Sequence, residues 1–307
     1  MPKVAVTGAT GFVGTHLLHR LAHSAWTAVP LVRRPSGLAG EEVVGALESA
    51  GETTIAPLDA MIHLAARTHV MNETDADPLA AYRATNVAGT EAALRMAQRA
   101  GVKHFVFLSS VKAMGEETAP GHPFTETTAP APEDPYGLTK LEAEQLVRSF
   151  CEANSMAWTI VRPPLVYGPG VKANFQALAK LARSGIPLPF GSTSNRRSLV
   201  YVGNLVDFLV FALDNESAQN ALFLLDDGAP FSTGAMLRAM AEAEGRKARL
   251  VAFPANVMKF ATSSIGKSGV YRRLFGSLEL DSSAARAAGW SPPYSSAQGF
   301  AATLAKD

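Results

Sequence analysis

"VAVTGATGFVGTHLLHRL", residues 4–21, decides the fold. A short β-rich run passes through Gly8, Gly11 and Gly14, three apart, into a stretch with helical spacing. There glycine permits a tight turn, a close backbone approach to a pyrophosphate, and tight packing of helix on strand. The helix N-terminus then faces phosphates with unpaired N–H groups. A purely structural glycine turn would carry the same letters, so the surrounding chain has to discriminate.

It does so by alternation. "KVAVT" (3–7), "AVPLVR" (28–33), "EVVGAL" (42–47), "AMIHLA" (60–65), "HFVFLSS" (104–110) and "WTIVRP" (158–163) read as buried strands. Helical stretches such as "TNVAGTEAALRMAQRAG" lie between most of them. The interval from the third to the fourth strand is short and helix-poor. The pattern predicts an α/β fold, a doubly wound parallel (Rossmann) sheet covered on both faces. After Pro163 the texture turns rich in proline and glycine, then gives one more helix, "NLVDFLVFAL", and one more strand, "ALFLLD". The expected division is a dinucleotide-binding domain, 1–170 with about 198–230. A smaller C-terminal substrate lobe takes about 171–197 with 231–307.

The end of the second strand reads the adenosine ribose in such folds. An acid there prefers NAD; an arginine accepts the 2′-phosphate of NADP. Here the strand ends "LVRRP", placing Arg33 and Arg34. NADP(H) is favoured, with NAD(H) as the alternative. Two solvated surface arginines would leave the same trace.

A second motif lies in "DPYGLTKLEAEQLV", 134–147. Asp134 can cap a helix and Pro135 suits its first position. Tyr136 and Lys140 are four apart, so their side chains lie one above the other. At ~100° per residue they share a stripe with Leu146, Val147 and Phe150, while Leu138 and Leu141 point away. A buried ammonium is costly without a partner. A tyrosine beside it becomes a better base, because a cation favours the phenolate. Ser110, at the end of a central strand, can hydrogen-bond the same substrate oxygen. The bland alternative is a packed tyrosine with a snorkelling lysine.

Lys and Arg total 28 against 27 Asp and Glu, a net charge of +1. That balance argues against nucleic acid or an acidic membrane as the main partner. The single cysteine, Cys151, excludes an internal disulfide. The start reads directly into the first strand without a leader, and "LVDFLVFAL" is too short to span a bilayer. A soluble cytoplasmic protein is expected. His63 and His69 lack an accompanying carboxylate cluster, so no metal site is expected.

The chain resembles the extended short-chain dehydrogenase/reductase family, in particular nucleotide-sugar 4-epimerases and 4-keto-sugar reductases. The resemblance rests on "TGATGFVG" (7–14), "HLAA" (63–66), "YRATNVAGT" (82–90), "FVFLSSVKAMGE" (105–116), "YGLTK" (136–140), "RPPLVYGPG" (162–170) and "RRSLVYVGNLVD" (196–207). It implies Tyr136 as acid/base, Lys140 as its partner and ribose ligand, and Ser110 as third member. It implies a cofactor cradle of Gly8, Thr10, Gly11, Phe12, Val13, Gly14, Leu64, Ala65, Ala66 and Pro163, with Asn86 ordering the site. Asn174, Arg197 and Arg273 fall where the family contacts the substrate diphosphate. A UDP-hexose substrate and a homodimer are implied. Ala46, Met114 and Leu165 depart from the family's pattern. The rival from another class is a non-catalytic dinucleotide sensor, which usually lacks the Tyr–Lys pair.

Overall fold

The computed structural model describes residues 1–50, 53–68, 77–171, 174–252, 272 and 274–305. Seven strands form one parallel sheet in the order β3-β2-β1-β4-β5-β6-β9. They are β1 (Lys3–Thr7), β2 (Thr27–Val32), β3 (Glu42–Val43), β4 (Ala60–His63), β5 (His104–Leu108), β6 (Ala157–Arg162) and β9 (Ala221–Leu224). Two short strands, β7 (Leu165–Tyr167) and β8 (Leu199–Tyr201), pair apart from it. The order reverses between β1 and β4, and at such a switch point a crevice opens at the strands' C-terminal ends.

Alternation along each strand fixes the layers. Val4, Val6, Ile62, Val106 and Val161 face one way, into a core completed by Leu17 and Leu21 of α1 (Phe12–Leu21) and Leu205, Phe208 and Leu209 of α6 (Val202–Asp214). Ala5, Met61, Phe105, Phe107 and Ile160 face the other way. They meet Leu94 and Met96 of α3 (Gly89–Arg99) and Ala143, Val147 and Cys151 of α4 (Pro135–Ala153). Both faces are thereby dry, which is why the strands read as apolar runs. A third core unites Tyr167, Phe175 of α5 (Asn174–Arg183), Leu237 of α7 (Thr233–Ala243) and Phe300. Phe300 belongs to the last of two short C-terminal helices, α8 (Ser283–Ala287) and α9 (Ser296–Leu304).

Two local expectations are adjusted. The third strand is two residues long rather than six, because Gly45 takes a φ of +74° and turns the chain out of the ladder. The crossover to β4 holds only a 3-10 turn, Leu47–Ser49, among the described residues. Also among them, no helix is long and apolar enough to cross a membrane.

Candidate active site

The loops leaving β1, β2, β4, β5 and β6 converge at the C-terminal edge of the sheet. Gly8 has a φ of +68°, and a Cβ there would lie 2.8 Å from the Ala65 amide nitrogen. A Cβ on Gly14 would come within 2.2 Å of the Gly8 carbonyl oxygen. Only glycine fits either place. Gly11 is the N-cap of α1, with no side chain capping it. The amides of the first turn therefore have no side-chain acceptor, and Thr10 beside them is exposed. Such a cradle suits a pyrophosphate. Phe12 and Val13 are half-buried behind it.

The opposite wall is Leu64, Ala65 and Ala66, all half-buried. Thr7 Oγ1 accepts from the amides of Leu64 and Ala65, each at 3.2 Å. Arg33 and Arg34 follow β2 and are exposed. In the same turn Glu41 accepts from the Ser36 hydroxyl and from the amides of Ser36, Gly37 and Leu38. Those bonds, the Ser36 hydroxyl first, hold its carboxyl down at about 2. That acid is engaged by the turn itself.

Asn86 is buried in a single π-helical turn, Ala84–Ala88, between α2 (Pro78–Arg83) and α3. Its Oδ1 accepts from the Arg67 amide at 2.8 Å. Its Nδ2 donates to the Arg67 carbonyl (3.1 Å) and to Thr139 Oγ1 (3.0 Å). The residue thus ties the loop after β4 to α4. Pro163 is buried at the end of β6, and its carbonyl accepts from the Val111 amide at 3.0 Å.

Asp134 caps α4, its Oδ1 accepting from the Gly137 amide at 2.6 Å. Lys112 also reaches this carboxylate, and donates to Glu116 at 2.8 Å. The turn carrying Ser110 is thereby latched to the start of α4. Ser110 caps that turn, and its hydroxyl lies close enough to the Tyr136 phenol to favour its ionised form. Burial pushes the Tyr136 phenol up to about 12, opposed by Ser110. The sequence argument instead expects the Lys140 ammonium to hold that phenol down. In the structure the ammonium is turned inward. It donates to the Leu108 carbonyl at 2.6 Å and lies 4.0 Å from the centre of the Phe107 ring. Burial lowers its pKa to about 7, against a raising influence from Glu144.

The residues that the resemblance assigns to the substrate diphosphate lie elsewhere on the chain. Asn174 begins α5. Arg197 is half-buried, its Nη1 donating to the Gly276 carbonyl at 3.1 Å. Arg273 and His69 fall outside the described residues. Of the positions that depart from the family's pattern, Met114 is buried and Leu165 is exposed on β7. Sequence reasoning missed Thr7, His63, Ser109, Thr139, Glu144 and Arg162, all buried and polar around the same edge. One signal was available: Glu144 stands four residues after Lys140, on the same helical stripe.

The sequence pattern of the NAD dependent epimerase/dehydratase family matches residues 4–223. A UDP-glucose 4-epimerase of Vibrio cholerae is 42% identical over 313 residues, covering 99% of this chain and 95% of its own. The Thermus thermophilus UDP-glucose 4-epimerase, solved in complex with NAD, superposes with a TM-score of 0.76 at 22% identity, covering 98% and 97% of the two chains. RMD from Pseudomonas aeruginosa, complexed with NADPH, gives 0.75 at 22% identity and covers 98% of each. These likenesses agree with the glycine cradle, the parallel sheet and the Tyr–Lys helix: the chain belongs to the NAD dependent epimerase/dehydratase family, within the extended short-chain dehydrogenase/reductases.

Proposed function

We propose that this protein is an NAD(P)-dependent enzyme acting at C4 of a nucleotide-linked hexose, in the manner of a UDP-sugar 4-epimerase. The observation that carries this reading is the convergence of Ser110, Tyr136 and Lys140 beside the glycine cradle. It occurs in a chain 42% identical, nearly end to end, to a UDP-glucose 4-epimerase. The cradle suits a dinucleotide's pyrophosphate, because glycine at positions 8 and 14 lets the loop close against α1 and the loop after β4, and the first-turn amides have no side-chain acceptor. When bound, it supplies hydride acceptance and return.

The chain's own residues do the rest. Gly8, Thr10, Gly11, Phe12, Val13 and Gly14 hold the pyrophosphate end, with Leu64, Ala65, Ala66 and Pro163 as walls and Asn86 keeping the loop after β4 in place. Tyr136, once ionised, takes the proton of the C4 hydroxyl and later returns it. Ser110 orients that oxygen and opposes the burial that keeps Tyr136 protonated. Lys140 holds the nicotinamide ribose. Asn174, Arg197 and Arg273 bind the substrate diphosphate, in a lobe of about 171–197 and 231–307. The protein works as a cytoplasmic homodimer. The test is incubation with NAD or NADP and UDP-glucose, UDP-galactose or their N-acetyl forms, with sugar inversion read by proton NMR. Absence of inversion with every pair would overturn the epimerase reading.

One observation favours a second reading, an NADPH-dependent 4-keto-sugar reductase. Two exposed arginines follow β2 where an NAD enzyme would place an acid. NADPH oxidation with a nucleotide 4-keto-sugar, without inversion of UDP-hexoses, would select it.

A further inference from the structure

Behind Lys140 lies a charged pair that neither the proton transfer nor cofactor contact uses. Glu144 is 1% exposed and Arg162 3%. Arg162 Nε donates to Glu144 Oε1 at 2.9 Å, and its Nη2 to Oε2 at 2.5 Å. The Ser109 hydroxyl also donates to Glu144. Ser109 sits between Leu108, whose carbonyl receives the Lys140 ammonium, and Ser110, which lies beside the Tyr136 phenol. The Ser109 amide donates in turn to the Val161 carbonyl at 2.7 Å, beside Arg162. One carboxylate therefore touches β5 and β6 where the two strands end, one turn along α4 from Lys140.

Burying two charges is costly, and apolar residues of similar size often stabilise as well or better. The pair therefore calls for a purpose beyond packing. We propose that Glu144, clamped by Arg162 and Ser109, is a positioning residue that keeps Lys140 an ammonium aimed at the sheet edge. The proposal rests on the reading of Lys140 as a ribose ligand.

The surroundings of Lys140 support this. His63 faces it from β4 and is neutral, held down to about 3 by burial and by the Lys140 charge. Phe107 and the Leu108 carbonyl face it from β5. Tyr136 and Glu144 stand on its own helix, and Arg162 of β6 lies behind Glu144. Glu144 is the carboxylate that raises Lys140 against the burial that depresses it. Without it, Lys140 loses its proton at a lower pH.

The experiment titrates the lysine itself. The protein is labelled with ¹³C at lysine Cε, and the Lys140 signal is assigned by its loss in Lys140→Met. Its midpoint is followed by NMR in wild type, Glu144→Gln, and Glu144→Gln/Arg162→Gln, the last leaving no uncompensated buried charge. The expected result is a midpoint lower by one pH unit or more in both variants. Affinity for NADP⁺ by calorimetry should fall at least tenfold at pH 8, and less than threefold at pH 6. A midpoint unchanged in a folded variant would overturn the proposal. So would loss of folding in both variants, since the pair would then be structural. The titration needs neither cofactor nor sugar, so failure of the epimerase reading would appear separately, as wild-type protein without turnover.

Discussion

Thr7 Oγ1 and His63 Nδ1 lie 2.7 Å apart, joining the ends of β1 and β4 beneath the glycine cradle. The other ring nitrogen of His63 meets Thr90 Oγ1 at 3.0 Å, and Thr90 donates to the Asn86 carbonyl at 2.6 Å. A buried polar chain thus runs from the glycine loop to Asn86 and on to α4. Such a chain rigidifies the edge when every member is satisfied.

His63 must stay neutral for this arrangement. Burial first, and Lys140 second, hold its pKa at about 3, against 6.5 for an ordinary histidine. A depressed folded pKa gives stability that is full above 6.5 and is lost as pH falls towards 3. Within that window the loss is at most about 1.4 kcal/mol per pH unit. His63→Gln should lower stability at pH 7 yet flatten the slope between pH 6 and 4. His104, held down to about 4 by burial, keeps its own share in both proteins. Urea midpoints across this range provide the measurement; parallel slopes would refute the assignment.

Tyr136→Phe removes the phenol proposed as proton acceptor and keeps the ring beside Tyr82, 6.3 Å away between centroids. Turnover should fall about 10²–10⁴-fold, with the melting temperature nearly unchanged. Ser110→Ala removes the hydroxyl that opposes burial, so Tyr136 should ionise at still higher pH. Its rate profile should move towards alkali. A profile unmoved in Ser110→Ala would show that Ser110 does not tune Tyr136.

Arg33→Asp should shift preference from NADP(H) to NAD(H), because the substitution replaces an exposed cation at the end of β2 by the acid that binds a free ribose. The lost phosphate contact is worth about 1–3 kcal/mol. Calorimetric affinities for both cofactors decide it, and equal, unaltered affinities would discard Arg33 as the selector.

Leu138 and Leu141 are half-buried on the side of α4 away from its core stripe. Pairing through α4 and α3 would cover them in a four-helix contact. Light scattering at tens of micromolar should give twice the chain mass, and Leu138→Glu/Leu141→Glu should give one. A monomeric wild type would end the dimer proposal.

The parallel sheet was legible because both faces are buried. Runs such as "HFVFL" and "WTIVR" place alternate residues in two different cores, and Gly8 and Gly14 of the first loop sit where no Cβ fits. These are local consequences of strand period and backbone sterics, which the letters carry. Asp134 and Pro135 were legible as a helix start for the same reason. What Lys140 touches was not. Leu108 and His63, which face it, and Arg162, which holds Glu144 behind it, come from three strands, and only the register of β4, β5 and β6 brings them together. Spacing along one helix predicted that Lys140 would lower the Tyr136 phenol; burial set by the whole sheet raises it instead. Sequence alone determined which ionisable groups line up along each helix and strand, because residue type and helical period are local. Tertiary structure decided their charge states, because desolvation and buried partners depend on every segment that closes over them.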